Sequence, residues 1–208
     1  MSVSSKRELK PNKFSGPIPF DELINLEINK PARYIGHELG VKPRSWENAK
    51  VHWALTYPEL YELGASNLGH IILYSILNSI PGQICDRAYL PANDLAKRLR
   101  EHRQPLFAVE SRKPLLAFDI LGFNLSYELG ATNILEMLDL AGIKLYANER
   151  DHQSKLPFDH PDSTPLIFAG GPTATSNPEP YALFFDFFAL GDGEELLPEI
   201  GLVVAEAK

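Results

Sequence analysis

The chain has 208 residues, a formal net charge of −7 and a single cysteine. Hydrophobic residues make up 44% and charged residues 23%, which excludes a disordered chain and is typical of one globular domain with extensions. One cysteine excludes an intrachain disulfide, a four-thiolate zinc site and a cysteine-ligated iron–sulfur cluster held by this chain alone.

The acidic balance argues against a broad nucleic-acid-binding surface, which needs clustered Lys and Arg. The richest basic stretch, Lys97, Arg98, Arg100 and Arg103, predicts the solvated face of one helix. The N-terminal residues lack the apolar core of a secretory signal, and no run of about 18 apolar residues is present. We therefore expect a cytoplasmic protein without a transmembrane helix.

The pattern of apolar residues changes near residue 49. Residues 1–48 predict an N-terminal extension and lead-in with one short helix at 22–28, and residues 49–208 predict the folded domain. Strands are predicted at 51–55, 83–90, 118–125, 166–169 and 186–190, with a short extended piece at 105–109.

Helices are predicted between these strands. Ser66 is the expected N-cap of the first, whose apolar face comprises Leu68, Ile71, Ile72, Leu73, Ile76 and Leu77. Asn93 or Asp94 caps the second, which extends to about His102, and a third covers 132–141. A polar connection at 146–165, a short helix near Pro178 and a C-terminal helix after Glu194 complete the pattern.

Alternating strands and helices imply βαβ units and a mostly parallel sheet. The predicted fold is α/β, a Rossmann-like doubly wound sheet of five strands in a flavodoxin-like order, with an N-terminal extension. Ligands of such sheets bind beyond the carboxyl ends of the strands. The segments expected there are 56–67, 126–132, 170–175 and 191–194.

Glycines at these strand exits allow close approach of a ligand, and helix N-termini favour phosphate or carboxylate groups. The alternative is that the glycines only form tight turns. The nucleotide motifs GxGxxG after the first strand and GxxxxGK[ST] are absent. A phosphoreceiver domain is disfavoured because the first strand, VHWAL, ends without acidic residues.

Four successive motifs carry a family resemblance: TYPELYELGASNLG, FDILGFNLSYELGATN, FAGGPTATSNPEP and FFDFFALGDGEE. In this order they resemble the N-terminal cobalamin (B12)-binding-like domain of radical S-adenosylmethionine (radical SAM) proteins, over about residues 31–200. The lead-in PARYIG, residues 31–36, is similar to that of one uncharacterised branch of the superfamily. The resemblance implies a sheet in the cobalamin-binding-domain order.

The first loop of cobalamin carriers reads DxHxxG, and its histidine binds the cobalt from below. Residues 59–64 read ELYELG here, so Tyr61 stands where that histidine would be. A neutral phenol is a poor metal ligand, so a bound corrinoid is expected to lack a protein lower ligand. Asn124 and Ser126 depart in part from the motif of the family's second loop. Gly170 and Gly171 match the motif of its third loop, whose small residues make room for the nucleotide tail.

The expected cofactor-binding residues lie in these four loops, and no catalytic residue or metal ligand is predicted. They are Glu59, Tyr61, Gly64, Ser66, Asn67, Asn124, Ser126, Tyr127, Glu128, Gly170, Gly171, Pro172, Gly191, Gly193 and Glu194.

Radical SAM enzymes hold a [4Fe–4S] cluster with CxxxCxxC, usually in a barrel after this domain. This chain has Cys85 alone, which is predicted to be a small buried hydrophobe. The chain by itself is therefore not expected to cleave SAM. We expect the cluster and SAM in a barrel domain that is missing from this chain, present in a longer protein or in a partner chain.

Other candidates in the loops stay open. His70 is most simply a helix-surface histidine, and alternatively a lower cobalt ligand. Glu59, Glu62 and Glu128 could act as acid and base, bind corrin amides or cap helices. Tyr57, Tyr61 and Tyr127 could form a flat wall for a macrocycle or be ordinary loop aromatics.

Three functions follow. The first is a corrinoid-binding module that docks on a radical SAM barrel catalysing methyl transfer or a radical rearrangement. The second is a protein-interaction or scaffold domain that has lost the corrin site, which Tyr61 and the second loop favour. The third is a flavodoxin-like protein that binds a nucleotide or flavin, against which the missing phosphate motifs count.

Overall fold

A computed structural model of the protein describes residues 20–36, 38, 41, 45–150 and 163–208. The strands are β1 (Val51–Tyr57), β2 (Gln83–Tyr89), β3 (Ile120–Asn124), β4 (Leu166–Gly170) and β5 (Phe187–Ala189). They form one sheet in the order β2-β1-β3-β4-β5, and every neighbouring pair is parallel. The predicted Rossmann-like, flavodoxin-like α/β fold is confirmed.

The helices are α1 (Phe20–Leu23), α2 (Tyr61–Gly64), α3 (Leu68–Leu77), α4 (Asn93–His102), α5 (Gly130–Leu140), α6 (Pro172–Ser176) and α7 (Gly193–Ala207). Short 3-10 helices cover Pro31–Tyr34, Trp46–Asn48, Leu115–Ala117, Ala147–Glu149 and Glu179–Tyr181. The predicted extended piece at 105–109 is not a strand of the sheet, and Phe107 forms an isolated antiparallel bridge with Pro114. Much of the predicted polar connection, residues 151–162, lies outside the described residues.

Two helix predictions were wrong in extent. The helix expected at 22–28 ends at Leu23, and the Asn25 side chain then accepts a hydrogen bond from the Glu27 backbone N–H at 2.9 Å. Such a local bond competes with helix continuation. The helix α6, which starts on Pro172 directly after Gly171, was not predicted, and the helix expected near Pro178 is a 3-10 turn.

Neither proposed N-cap of α4 performs that role. The helix begins at Asn93, so Ala92 occupies the N-cap position and has no capping side chain. The Asp94 carboxylate instead accepts a hydrogen bond from the backbone N–H of Asn29 at 2.7 Å. This contact joins the lead-in to α4.

Strand residues alternate between two hydrophobic cores, one on each face of the sheet. On one face Trp53, Leu55 and Phe168 pack with α3 and α7. On the other face Leu121 and Phe123 pack with α1, α4 and α5. Both faces of the sheet are therefore covered by helices, as in other parallel sheets.

The predicted apolar face of α3 is only partly buried. Leu77 is fully buried, but Leu68, Ile71 and Ile72 are exposed on the solvent side. Only the stripe that faces the sheet and α7 contributes to the core. The rest of this uncharged helix leaves an apolar outer surface.

The outer edge of β2 is hydrogen bonded although no strand among the described residues pairs with it. The Asn78 side chain bonds the Cys85 backbone twice, accepting from its N–H at 3.0 Å and donating to its carbonyl at 2.8 Å. The Arg87 N–H donates to the Asp86 carboxylate, and the Arg87 carbonyl accepts from the Val109 N–H at 2.9 Å. These contacts replace a neighbouring strand at the edge of the sheet.

The described part of the lead-in packs on the sheet domain. Leu23, Ile28 and Tyr34 are buried in the same core as α4 and α5. The Ala92 N–H also donates to the Tyr34 hydroxyl at 3.1 Å. The division of the chain at residue 49 remains a prediction.

In the part of the chain that the structure describes, no helix combines the length and apolar character needed to cross a bilayer.

Gly122 in β3 offers a test of the packing on this sheet. A Cβ at this position would lie 2.6 Å from the Phe168 ring, which stacks on Phe187 with centroids 5.1 Å apart. We expect Gly122→Ala to lower the free energy of unfolding by about 1–3 kcal/mol, because the buried ring must move. Urea unfolding followed by circular dichroism measures the loss.

Gly69→Ala is the matched control. Gly69 lies on the exposed side of α3, and the nearest atom to its Cβ would be Asn67 Oδ1 at 3.5 Å. Alanine favours helix, so this variant should be as stable as the parent or slightly more stable. Equal stabilities for the two variants would contradict the packing of Phe168 on Gly122.

Candidate functional site

The carboxyl edge of the sheet carries the loops that contain the candidate residues. Because all strands are parallel, the loops after β1, β3, β4 and β5 meet at this edge. The chain leaves β1 toward α3 on one face and leaves β3 toward α5 on the other. The neighbouring loops therefore diverge at the switch point where ligands bind in such folds.

The loops after β1 and β3 contact each other at this crevice. The Tyr127 hydroxyl donates a hydrogen bond to the Glu59 carboxylate. The Asn133 amide donates to the Pro58 carbonyl at 2.8 Å and to Glu59 at 3.3 Å. The structure thus brings Glu59 and Tyr127 together and uses their polar groups within the protein.

The remaining candidates of the second loop also contact protein groups. The Ser126 hydroxyl donates to the side-chain oxygen of Asn124. Glu128 is exposed, and its backbone carbonyl accepts from the Ala131 N–H at the start of α5. Asn124 and Ser126 are therefore a bonded pair at the end of β3.

Asn67, and not Ser66, is the N-cap of α3. The Asn67 side-chain oxygen accepts from the His70 N–H at 2.9 Å, three residues along the chain, as an N-cap requires. Ser66 lies one residue too early, and its hydroxyl donates back to the Glu62 carbonyl at 2.9 Å. Asn67 also donates to the Tyr57 hydroxyl at 3.3 Å.

Tyr61 and Gly64 form one packed unit with β2. The Tyr61 hydroxyl donates to Glu38 at 2.6 Å, and its ring lies edge-on to Tyr89 with centroids 5.2 Å apart. Burial and the bond to Glu38 raise the pKa of Tyr61 to about 12, so the phenol stays neutral. A Cβ on Gly64 would lie 2.5 Å from the Tyr89 ring, so this glycine makes room for Tyr89.

Gly170 and Gly171 allow close approach between backbone segments. Gly171 has a positive φ of 118°, and a Cβ there would lie 2.9 Å from the Leu125 carbonyl oxygen. A Cβ on Gly170 would lie 3.3 Å from the carbonyl oxygen of Ala189 in β5. The Leu125 N–H donates to the Gly170 carbonyl at 2.8 Å, which ties the β3 loop to β4. Pro172 then begins α6.

The last loop contains the more open positions. Gly191 has a φ of 104°, and no atom lies within 4 Å of a Cβ placed there. Gly193 starts α7 close to Leu73 of α3, at 3.1 Å from its Cβ position. Glu194 is exposed in the first turn of α7, where a carboxylate complements the helix dipole.

These contacts test whether the loops fit a corrin. The resemblance assigns the space for the nucleotide tail to Gly170 and Gly171, and a Cβ on these residues would lie 3.3 Å from Ala189 and 2.9 Å from Leu125. Protein atoms therefore occupy space beside these two glycines that the resemblance assigns to the tail. Among the described residues, no group of three or more His, Cys, Asp or Glu side chains is placed to hold a metal ion.

His70 is buried, which corrects the expectation of a helix-surface histidine. It is 3% exposed, and its ring lies between Tyr57 and Tyr89, with centroids 5.6 and 5.8 Å away. Burial lowers the pKa of His70 to about 3, so the ring is neutral. Cys85 is buried as predicted, and burial raises the pKa of its thiol.

A buried ion-pair cluster beside Tyr61 was missed by the sequence analysis. Its centre is Arg87 of β2, which donates to Glu38 at 2.9 Å and to Glu110 at 2.9 Å. The guanidinium also lies 4.6 Å from the Tyr74 ring centroid. Adjacent charges such as Asp86 and Arg87 are rare in a buried strand, and this was the available signal.

Three carboxylates lie at this cluster: Glu38 and Glu110 bond the Arg87 guanidinium, whereas Asp86 bonds backbone N–H groups. Asp86 accepts the backbone N–H groups of Glu110 and Ser111 at 3.1 and 2.7 Å, and the Tyr74 hydroxyl donates to Glu110 at 2.8 Å. Burial, aided by the Asp86 charge and opposed by Arg87, raises the pKa of Glu110 to about 7. The Glu110 carboxyl group therefore gains or loses its proton close to neutral pH.

The lead-in strap, residues 30–36 and 38, lies over the β1 loop beside this cluster. Arg33 donates to one oxygen of Glu62 from Nε at 3.0 Å and from Nη2 at 2.8 Å, and Lys30 donates to the same oxygen at 3.2 Å. These bonds lower the pKa of Glu62 to about 2. The bonds of Lys30 and Arg33 attach the strap to Glu62, and the bonds of Glu38 attach it to Tyr61 and Arg87.

Glu110 makes a specific contribution to the pH dependence of stability. Its folded-state pKa lies above the ordinary value, so its stabilising effect is complete below about pH 4.5 and is lost as the pH rises through about 7. Between pH 5 and pH 8 the free energy of unfolding of the parent should fall by on the order of 2 kcal/mol more than that of the Glu110→Gln variant. Urea unfolding at several pH values in this range measures the difference.

The control is Glu199→Gln, at an exposed position of α7. This variant should keep the pH profile of the parent. If the Glu110→Gln variant also keeps that profile, Glu110 does not hold the proton.

One comparison with known proteins identifies the family. The sequence model of the protein family described as "Radical SAM proteins, N-terminal" matches residues 69–208, which is more than half of the chain. No curated protein and no solved structure gives a match. The matched part runs from α3 to α7 and contains every strand of the sheet except β1. The chain therefore belongs to the family of N-terminal regions of radical SAM proteins.

Proposed function

We propose that this chain is a non-catalytic module of a radical SAM protein, and that its carboxyl edge docks on the domain that holds SAM and the [4Fe–4S] cluster. Membership of the family supports the partner. The only cysteine, Cys85, is buried in β2 and has a raised thiol pKa, so it is not available as a cluster ligand. The radical chemistry therefore belongs to the docked domain.

The observation that carries the proposal is a group of exposed apolar side chains at the carboxyl edge. Leu129 is 77% exposed in the β3 loop, Leu68 is 68% exposed at the start of α3, and Leu63 and Leu190 are more than half exposed. Exposed apolar residues that gather at one edge indicate an interaction surface. We call these four leucines the apolar rim.

Acidic side chains surround the apolar rim. They are Glu128, Asp192, Glu194 and Glu195, together with Glu59 and Glu62, whose carboxylates also bond Tyr127 and the Lys30–Arg33 pair. No lysine or arginine lies in the loop segments 58–67, 125–130 and 190–195. A partner surface with apolar residues framed by Lys and Arg complements this edge.

The contacts of the candidate glycines support the scaffold function over corrinoid binding. The packing of Tyr89 and Leu125 accounts for Gly64 and Gly171 without a ligand. A nucleotide or flavin is supported less, since the phosphate motifs are absent. The domain boundary at residue 49, the fifteen cofactor-binding residues and a cytoplasmic location remain predictions.

Substitution of the apolar rim tests the docking. The parent chain should co-elute on size exclusion with the separately produced radical SAM domain of the same protein, reconstituted with its cluster. We expect Leu129→Asp to weaken this binding at least tenfold, because the carboxylate must be desolvated in the interface.

Leu183→Asp provides a matched control. Leu183 is also exposed, but it precedes β5 and so lies toward the opposite edge of the sheet. This variant should bind like the parent. Equal binding by all three proteins would contradict docking through the apolar rim.

A titration with hydroxocobalamin separates the scaffold from a corrinoid carrier. Because protein atoms fill the space beside Gly64, Gly170 and Gly171, we expect no saturable change in the visible absorbance of the corrin. Saturation in the micromolar range would overturn this expectation and favour the corrinoid-binding module. The docking experiment is independent of this outcome.

A further inference from the structure

A cavity of about 510 Å³ lies between the lead-in strap and the β1 loop. Its volume is in the range of small-molecule sites. The strap contributes Ala32 and Ile35 to the wall, and the loop contributes Tyr61. These groups provide an apolar and aromatic lining beside the carboxyl end of β1.

The charged groups of the cavity are balanced. Lys30 and Arg33 supply two cations, and Glu38 and Glu62 supply two carboxylates. Lys30 and Arg33 bond Glu62, and Glu38 bonds Tyr61 and Arg87, so a ligand must exchange its own charges into these pairs. A ligand with a single charge can replace only one side of a pair. A zwitterion can direct its carboxylate to the cations and its ammonium group to the carboxylates.

The backbone at the mouth of the cavity is strained. Lys30 adopts a φ of 51°, which is uncommon for a residue other than glycine, and the strap turns at this point. Residues held in such conformations cluster at ligand-binding sites. The turn places the Lys30 ammonium 3.2 Å from Glu62, at the edge of the cavity.

We propose that this cavity binds a free α-amino acid with an apolar side chain. The carboxylate of the ligand lies toward Lys30 and Arg33, and the ammonium group lies toward Glu38 and Glu62. The side chain lies on Ala32, Ile35 and the ring of Tyr61. None of the four leucines of the apolar rim lines the cavity, so this proposal goes beyond the docking function, although Glu62 borders both.

Calorimetric titration of the full chain with three related compounds tests the charge requirement. L-Leucine is the zwitterion, L-leucinamide the cation and N-acetyl-L-leucine the anion. We expect leucine to bind at least tenfold more tightly than either blocked compound. Binding of a blocked compound as tight as that of leucine, or no heat with leucine at millimolar concentration, would overturn the proposal.

Variants locate the site. Ala32→Trp fills the cavity without removing a charge, and Glu62→Gln removes one of the two carboxylates; each should weaken leucine binding at least tenfold. Glu136→Gln, at a partly exposed glutamate of α5 that pairs with Arg100 of α4, is the control and should bind as the parent does. Thermal melting identifies any variant that is unfolded. Unchanged binding by folded Ala32→Trp would place leucine elsewhere and refute the assignment.

Discussion

The buried guanidinium of Arg87 is the constraint on which this end of the molecule depends. A charge in a covered strand is tolerated only when its N–H groups meet acceptors, because desolvation costs several kcal/mol, on the order of the whole stability of a small domain. Glu110 supplies one acceptor from the segment that runs beside β2, and Glu38 supplies another from the lead-in strap. Glu38 in turn accepts from Tyr61, so the strand, the strap and the β1 loop are held by one polar network.

The same network includes loop residues that the sequence analysis assigned to a cofactor site. Tyr61 stands where cobalamin carriers have a histidine, and its ring packs on Tyr89. Gly64 is then needed because the Tyr89 ring occupies the space beside it. Similarly, Gly171 serves the approach of the Leu125 carbonyl. A glycine in such a motif indicates that another group lies close to the backbone, but only the structure identifies that group.

Much of the fold could be predicted from the sequence because it depends on local periodicity. The short apolar strands and intervening helices determined the parallel sheet, and glycines marked several strand exits. N-caps were less predictable, since Ser66 and Asn67 are both good capping residues and differ only in which N–H they reach. The Arg87 cluster could not be assembled from sequence, because Glu38, Arg87 and Glu110 are far apart along the chain. The burial of His70 likewise depends on Tyr57 and Tyr89, which lie on different strands.

The hydrogen bonds along the outer side of β2 have a consequence for assembly. The backbone groups of Cys85 and Arg87 that point away from the sheet are taken by Asn78, Asp86 and Val109. At these two residues an extended segment of another protein would meet backbone groups that are already bonded. These bonds oppose β-augmentation and aggregation through strand pairing at the β2 edge. Recognition on this side of the sheet would then rest on side chains of the surrounding loops and helices, whose identity sets specificity residue by residue.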